Sequence, residues 1–540
     1  MPSGILGVAL TGLNAAQVGI RTTEHNIANV NTAGYRRQEA VFAATKAQYS
    51  PTGYIGTGTS TTSVRQLYSR FLDNEVLQNQ AQLSRHETYG AQASQIDKML
   101  GDAGSGLSTA LDNYFAAINE VANDPTSNAA RQNLLSAGNN LAGRVNTLDN
   151  KLKSMRAATN SDIEAIARQV NALSAQIAGL NNTIARDEGV NGRTANDLRD
   201  QRQQLVSDLN KLVNVSTIEQ SDGSLNLFIG SGQPLVVGTL AYGLSAVTDP
   251  SDSTLKVPAL TLGASTITLD SSLISGGQLG GVLAQREDIL LPALDDLNVI
   301  SMAVASSVNT LHRGGLDYNL NAGVDFFTNP VVAQGATVGE LNMTITNDLL
   351  LDRVGYRIDF NGPDYDVTVL STGVTTNYAN LAAVNAAGLG FTVAAGVPAP
   401  AAGESWLIGD YAGQMSMELT STSQVAAAGA AAIGPGDNSN MLAMADLRTS
   451  QVLNNGTRSF SEAYDESVSR TASLTAEADL SQSAFSALVE QATASQQEIS
   501  GVNLDEEAVN LIRYQQAYQA AARAMQIASS LFDEVLGIVR

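Results

Sequence analysis

The apolar positions at the two ends of the chain recur with alternating spacings of three and four residues, which is the period of one helix face. The N-terminal stripe consists of Leu6, Ala9, Leu13, Ala16, Ile20, Thr23 and Ile27. The C-terminal stripe consists of Leu504, Ala508, Leu511, Gln515, Tyr518, Ala522, Met525, Ser529, Phe532, Leu536 and Val539. Alanine and polar residues make both stripes weak for a solitary helix but suitable for close packing on another helix. We therefore predict that the two ends pair as a coiled coil; two ordinary surface helices on a globular core are the alternative.

Capping and turn residues mark the inner ends of these two helices. Asn503 is a predicted N-cap, and the acidic residues 505–507 fill the first turn, where the helix dipole favours negative charge. The turn after the N-terminal helix is predicted from residues that tolerate left-handed backbone or anchor the exit: Asn29, Asn31, Gly34 and Tyr35.

Between the two ends, apolar spacing predicts helices over about 64–100, 107–123 and 196–213, with one starting at the N-cap Asp124 and Pro125. The strongest periodic signal is an unbroken heptad stripe: Ile163, Ile166, Val170, Leu173, Ile177, Leu180 and Ile184. Such a stripe fits a helix in a globular bundle or an intermolecular coiled coil equally well.

A period of two then predicts strands over about 213–273, followed by a helix over 276–312 and a β-like stretch over 317–432. The clearest hairpin joins 356–360 to 365–369. Trp406 is expected to be a core residue of a strand, and helices return by Asn440.

This order predicts a mainly α fold with β-rich inserts, in which elongated domains are nested and each inner one is inserted into an outer one. The predicted domains are a terminal coiled-coil domain (1–63 and 500–540), a helical bundle domain (64–325 and 433–499) with a small β insert near 213–275, and an outer β-rich domain (326–432). The nesting brings both termini to the same end of a long molecule.

Composition narrows the classes of function. With 52 acidic and 30 basic residues, the net charge is -22, whereas nucleic-acid binding needs clustered Lys and Arg. No stretch is expected to span a membrane, so membrane insertion is not expected. The N-terminal residues lack the basic segment, apolar segment and cleavage site of a secretory signal.

Candidate catalytic chemistry is sparse. The chain has no Cys, which excludes disulfides and cysteine-based metal or nucleophile sites, and it has three His: His25, His86 and His312. His86 begins a zinc-protease-like pattern, but Gly90 stands where the second His is required. His312 is expected to bond backbone at a helix end, and His25 to cap or pack. We therefore predict no catalytic, cofactor or metal site and no enzyme activity.

Several stretches carry a resemblance to a known family. One is Ala28-Asn29-Val30-Asn31-Thr32-Ala33-Gly34-Tyr35; another is Ser500-Gly501-Val502-Asn503-Leu504-Asp505-Glu506-Glu507, followed by Tyr514-Gln515-Gln516-Ala517-Tyr518-Gln519-Ala520-Ala521-Ala522-Arg523. They are similar to the terminal signatures of the flagellar rod, hook and hook-associated proteins, although the family usually has Pro where this chain has Ala33. Internal stretches resemble the hook-associated members: 123–125 with 129–132, 195–202, 230–238, and the cluster Asn309, His312, Gly315 and Asp317. The resemblance covers about 1–325 and 437–540.

The resemblance implies a structural subunit of the extracellular flagellum, exported without a cleaved signal peptide, that assembles with itself into a short tubular zone joining hook to filament. The implied partners are the hook protein, a second junction protein toward the filament, and an export chaperone at the C-terminal helix. A hook or distal-rod protein, or a secreted filament-borne adhesin or enzyme, is the alternative.

The residues expected at the assembly interface are Leu6, Leu13, Ile20, Ile27, Asn29, Asn31, Gly34, Tyr35, Leu504, Leu511, Tyr518, Met525, Phe532 and Leu536. The two stripes bury little apolar surface, which does not offset the chain entropy lost on ordering. We therefore expect the ends to be disordered in the free monomer and to order on assembly.

Overall fold

The computed structural model describes residues 2–50, 53–102, 106–191, 194–230, 232–334, 339–352, 354–432 and 434–539. The α-helices are α1 (Pro2–Ala28), α2 (Arg70–Leu100), α3 (Leu107–Asn123), α4 (Asn128–Asn191), α5 (Asn196–Leu212), α6 (Gly277–Gln285), α7 (Leu291–Gly314), α8 (Leu381–Ala386), α9 (Ser439–Asp446), α10 (Phe460–Ser500) and α11 (Leu504–Val539). A π-helix, Arg286–Leu290, joins α6 to α7, and short 3-10 helices span Ser271–Leu273, Asp348–Leu350 and Thr422–Gln424.

The strands of the N-terminal half are β1 (Gln38–Ala44), β2 (Gln48–Ser50), β3 (Gly53–Ile55), β4 (Thr59–Gln66), β5 (Val215–Glu219), β6 (Leu225–Ile229), β7 (Gln233–Val237), β8 (Leu240–Ala241), β9 (Gly243–Thr248), β10 (Lys256–Leu262) and β11 (Ser265–Thr268). Those of the C-terminal half are β12 (Val331–Ala333), β13 (Leu341–Ile345), β14 (Tyr356–Phe360), β15 (Tyr365–Val369), β16 (Val374–Tyr378), β17 (Phe391–Ala395) and β18 (Glu404–Ile408).

The segment after α1 is a long antiparallel hairpin. β1 pairs with β4, with a bulge between Val41 and Phe42, and β2 pairs with β3 beyond them. Because β4 continues as strand through Gln66, α2 begins at Arg70 and not near residue 64, as the apolar spacing predicted.

The fourth helix also begins later than predicted. Asp124 is the C-cap of α3, where its backbone N–H donates to the Glu120 carbonyl at 3.2 Å, so it does not cap the next helix. The chain turns after Pro125, and α4 starts at Asn128. It then runs unbroken for 64 residues, including the point near Thr159 where its apolar stripe changes phase.

Two hydrophobic cores organise the molecule. The larger lies among α2, α3, the first half of α4, α7, α9 and α10, and it extends into the C-terminal strands. The smaller lies between the second half of α4, α5, α6 and the two sheets built from β5–β11. Ile163, Val170 and Ile177 of the heptad stripe are fully buried in this smaller core. The stripe is thus covered by its own chain, and the intermolecular coil considered above is wrong.

The C-terminal strands form a five-stranded antiparallel sheet, ordered β12-β18-β14-β15-β16, and a two-stranded sheet of β13 and β17. The predicted hairpin is present, with Tyr356 opposite Val369 in the β14–β15 pair. Trp406 of β18 is fully buried as predicted, and its indole N–H donates to the Gly339 carbonyl at 2.8 Å.

The ends of the predicted outer segment, 326–432, belong to the helical core. Phe326 and Phe327 pack their rings at 5.6 and 5.5 Å from that of Tyr114 in α3. The buried guanidinium of Arg131 in α4 donates to the carbonyl oxygen of Val425 at 2.8 Å. The boundary therefore has to move inward, because residues following β18 fill space between the helices.

The sequence expectation of no membrane-length stretch also needs correction. The continuous helical stretch Gly277–Gly314 is 38 residues long and contains an 18-residue window with a mean hydropathy of 1.5, which is enough to cross a membrane by length and composition. In the fold, 67% of that window is buried inside the protein. It is a core helix by its packing.

Candidate assembly interface

The first and last helices pack side by side and run antiparallel. Three contacts define their register: Asn26 with Glu507, Gly19 with Tyr514, and Gly12 with Ala521. Each step is seven residues on both helices, so the contacts return to one face every second turn. A β-carbon on Gly19 would lie 2.7 Å from the Tyr514 ring, and one on Gly12 would lie 3.7 Å from the Ala521 β-carbon.

The residues of α1 that pack against α11, here called its seam, form two columns with a spacing of seven residues. One column agrees with the predicted stripe, and the other is displaced from it by one residue. Ala9, Ala16 and Thr23 are buried, as the stripe predicted. The second column consists of Gly12, Gly19 and Asn26. The predicted members Leu13, Ile20 and Ile27 lie beside it and are half-buried, while Leu6 is exposed.

The seam on α11 shows the same displacement. The contacting column is Glu507, Tyr514 and Ala521, with buried Ala528 a further seven residues along, and not 508, 515, 522 and 529. Among the predicted interface residues, Leu511 and Met525 are half-buried and Leu504, Tyr518 and Phe532 are exposed. The side chain of Leu536 lies outside the described residues.

Close approach explains the displacement. Glycine and alanine let two helix axes come nearer than leucine or isoleucine allows, so the small residues occupy the contact and the large ones flank it. The exposed large apolar side chains of the pair are Leu6, Val8 and Leu10 on α1 and Leu504, Val509, Ile512, Tyr518, Ile527, Leu531 and Phe532 on α11. These side chains are the apolar part of the outer surface of the terminal pair.

The turn after α1 behaves partly as predicted. Gly34 has a φ of +75°, and the Tyr35 hydroxyl donates to Asn26 Oδ1 at 2.7 Å while lying 3.0 Å from His25 Nδ1. Asn29 does not use left-handed backbone; its amide instead donates to the His25 carbonyl at 2.9 Å. Asn31 likewise lacks a positive φ and is exposed.

A buried polar cluster joins the two terminal signatures. Glu507, whose side chain is 2% exposed, accepts from Arg37 Nε at 2.8 Å and from Asn26 Nδ2 at 3.2 Å. Arg37 also pairs with Glu506 at 2.7 Å and donates its backbone N–H to the Ser500 carbonyl at 2.9 Å. Sequence reasoning treated residues 505–507 as dipole partners and missed this role. The signal in the sequence was the adjacent pair Arg36–Arg37, which needs carboxylate partners and had been given no role. Asn503 caps α11 as predicted, accepting from the Asp505 backbone N–H at 3.0 Å.

Arg36 ties the terminal pair to the helical domain. Its guanidinium pairs with Asp73 of α2 at 2.8 Å, and Gln496 of α10 donates to the same carboxylate at 2.6 Å. Its backbone N–H donates to Asp200 of α5 at 3.3 Å, and Gln66 donates to Asp200 at 2.8 Å.

Burial shifts two titratable groups in this region. Burial raises the pKa of Asp200 to about 7, although the bonds from Arg36 and Gln66 act in the opposite direction. Burial and the carboxylates of Asp197 and Asp200 also raise the pKa of Tyr35. Both residues face a groove between the turn and the helices α4 and α5.

The three histidines have packing roles in the structure. His312 accepts from the Ala426 backbone N–H at 2.9 Å and bonds the Val324 carbonyl, and burial lowers its pKa to about 4. His86 stacks on Phe485 at 5.4 Å between centroids. Across the described part of the chain, no group of three or more His, Cys, Asp or Glu is placed to hold a metal ion.

Two matches to known families define the class of protein. The family described as the flagellar basal body rod FlgEFG protein C-terminal matches residues 494–538. This range includes the N-cap Asn503 and the seam residues of α11, from Glu507 to Ala528. The family described as the flagellar hook-associated protein FlgK helical domain matches residues 93–327. The last helix carries this signature and packs antiparallel to the first helix, and the matched helical domain lies between them in the chain. Together these features define a flagellar axial protein.

The particular family follows from full-length relatives. Flagellar hook-associated protein 1 of Salmonella typhimurium (strain LT2) is 34% identical over 99% of this chain and 100% of its own length. The protein of the same name from Escherichia coli (strain K12) is 33% identical over the same shares. The chain belongs to the flagellar hook-associated protein 1 family. Its fold is shared with the solved flagellar hook junction protein FlgK from Burkholderia pseudomallei, at a TM-score of 0.63 and 22% identity over 79% of this chain and 100% of that one.

Proposed function

We propose that this protein is a structural subunit of the extracellular bacterial flagellum that forms a short tubular zone joining hook to filament. The observation that carries this function is the likeness to hook-associated protein 1 along the full chain, from the first helix to the last. The match of residues 93–327 to the FlgK helical domain favours the junction over a hook or distal-rod protein. The same likeness disfavours an adhesin or an enzyme.

The terminal pair supplies the surface for this assembly. Its seam is narrow and built from glycine, alanine and polar residues, whereas its large apolar side chains face outward. Neighbouring copies would cover those side chains, and each full burial contributes about 1.5–3 kcal/mol. The interface residues expected from the sequence fit this role best where they are exposed or half-buried, as Leu6, Leu511, Tyr518 and Phe532 are.

The same energetics supports ordering on assembly. A pair with a narrow seam gains little from its own contacts, so its helices gain most of their stabilisation when copies surround them. The exposed apolar face of α11 is also suited to an export chaperone, which would cover it before secretion. The hook protein on one side and a second junction protein on the other are the remaining proposed partners, and export proceeds without a cleaved signal peptide.

Electron microscopy of the purified protein added to isolated hooks that lack a filament tests this function. We expect a short tubular extension at the distal end of the hook. Binding along the side of the hook, or no binding while the protein remains folded, would contradict the junction role.

A further inference from the structure

The tip of the hairpin after α1 exposes an aromatic pair. Tyr49 of β2 and Tyr54 of β3 are cross-strand partners with ring centroids 5.5 Å apart, and they are 73% and 77% exposed. Ile55 beside them is exposed as well. Two strands of three residues each have no core of their own, so a tip with this composition is stabilised when another surface covers it.

This tip, formed by β2 and β3, lies toward the start of α1. The buried polar cluster of Asn26, Arg37 and Glu507 lies at the other end of α1, here called the base of the terminal pair. The hairpin begins at the base, where Gln38 bonds Asn26, and it reaches Thr11 at the backbone N–H of Thr59. β2 and β3 continue beyond that point. Lys46 is the single charged residue in segment 45–57, so the tip is positive in a chain whose net charge is -22.

A groove with an apolar and acidic lining lies at the base, between the turn after α1 and the helices α4 and α5. Its volume is about 760 Å3, and its lining includes His25, Tyr35, Leu180, Leu205, Asp197 and Asp200. Leu180 and Leu205 are half-buried and form an apolar wall. The Asp197 carboxylate is largely exposed, which leaves an acceptor and a negative charge at the edge.

We propose that the hairpin tip of one copy occupies the base groove of the next copy in the assembly, an inference that rests on the proposed function. The Tyr rings cover the leucine wall, their hydroxyl groups donate to the Asp197 carboxylate, and Lys46 faces the negative edge. The tip and the groove are different surfaces of one chain, so the contact is head-to-tail, and such a contact builds a helical tube when the rotation between copies does not close a ring.

The tip cannot fill its own groove. Thr11 beside the hairpin and His25 in the groove are fourteen residues apart on α1, which is about 21 Å along a helix. Any contact between tip and groove is therefore intermolecular, and this separation makes the contact testable by cross-linking.

Cysteine cross-linking in this cysteine-free chain tests the contact directly. We expect Ile55→Cys combined with Gln201→Cys to give a ladder of disulfide-linked multimers in isolated flagella after mild oxidation, because bridged α-carbons must lie within about 7 Å. Each single-cysteine variant should give no ladder. Ile55→Cys with Val374→Cys, an exposed position in β16, is the matched control and should also give none.

A second measurement does not depend on cysteine geometry. Tyr49→Ser with Tyr54→Ser should lower the number of subunits incorporated per flagellum by about tenfold or more, as loss of aromatic anchors does at other interfaces. Val374→Ser should leave incorporation unchanged. Flagella that contain the double-cysteine protein without a ladder, or normal incorporation of the double-serine variant, would overturn the tip–groove contact alone. Absence of the unaltered protein from the junction would instead overturn the proposed function.

Discussion

At the residue scale, small and polar side chains define the terminal pair. Gly12 and Gly19 admit Ala521 and Tyr514, and Asn26 reaches Glu507. Ranking positions by hydrophobicity selected the neighbouring leucines and isoleucines instead, which is why each predicted stripe lies one residue from the seam in one column. Close approach of backbones depends on a missing side chain, and a hydrophobic pattern does not report it.

We predict that Gly12→Cys with Ala521→Cys forms a disulfide in isolated flagella. A β-carbon on residue 12 would lie 3.7 Å from that of Ala521, within the range for a disulfide bridge. The matched control is Leu13→Cys with Ala522→Cys, a pair of predicted stripe residues that lie one position from the seam contact on each helix. Thiol counting by mass spectrometry, after oxidation, measures closure of each pair.

Equal closure of the two pairs in flagella would show that the seam is misassigned. The same experiment on the free protein addresses ordering on assembly. If the ends order only among neighbours, the preference for the 12–521 pair will be strong in flagella and weak in the dilute monomer.

A pH-dependent contribution to stability should come from Asp200. Its folded pKa of about 7 lies above the ordinary value of 3.8, because burial disfavours the carboxylate. The folded state then holds a proton that the unfolded state has lost, so this contribution is full below pH 3.8 and is lost as the pH rises through 7. We predict that Asp200→Asn removes this fall, on the order of 1 kcal/mol after allowing for partial solvation.

Urea unfolding followed by circular dichroism at pH 4 and pH 7.5 measures the effect. The comparison is the difference in unfolding free energy between the two proteins, because all other groups titrate in both. Asp197→Asn, at the more exposed carboxylate of the same groove, is the control. An identical pH dependence for Asp200→Asn and the unaltered chain would contradict the assignment.

At the element scale, local sequence patterns predicted individual elements but did not predict the contacts between distant parts of the chain. The hairpin of β14 and β15 followed from alternating residues and an Asn-Gly turn, and the Asn503 cap of α11 followed from residue type. The bond from Arg37 to Glu507 joins positions 470 residues apart. The adjacent arginines Arg36 and Arg37 indicate that carboxylate partners exist, but they do not identify Glu507, since a charge pair of this kind exists only once the two termini meet.

The helix α11 has one face in the seam and another free for partners. Leu511 and Phe532 are 21 residues apart, three heptads, and so lie on nearly the same side; Leu511 is half-buried and Phe532 is 47% exposed. We predict that Leu511→Asp with Phe532→Asp abolishes filament formation in cells that make this variant alone. Placing a charge in a dry interface costs about 2–4 kcal/mol per residue.

The melting temperature of the helical domain should hardly change in that variant, because neither residue belongs to the two hydrophobic cores. Gln515→Asp with Gln526→Asp, at exposed polar positions of α11, controls for added charge. Normal filaments would refute the assignment of this face. Loss of the main melting transition would mean that α11 stabilises the folded core.

At the scale of the whole molecule, the predicted boundary between the outer domain and the helical domain has to change, because contacts cross it. Residues 409–432 follow the last strand but return to the helices: Tyr411 and Ala412 donate their backbone N–H groups to Asn298 of α7 at 2.6 and 3.1 Å. The sequence analysis placed this stretch in the outer β-rich domain, 326–432. Small residues in this case serve close packing between helices, which composition alone does not reveal.

We therefore predict that two nested deletions behave oppositely. Val331 and Ile408 are paired neighbours in adjacent strands, so removing 331–408 and joining the ends by a short Gly-Ser linker should preserve helical content, cooperative melting and incorporation into flagella. Removing 326–432 also takes away Phe326 and Phe327, each worth about 3–5 kcal/mol in a core, and two carbonyl partners of Arg131, those of Thr422 and Val425. That deletion should lose its melting transition. Circular dichroism and calorimetry on the two proteins compare them directly, and a cooperative transition in the larger deletion would show that the helical core is complete without these residues.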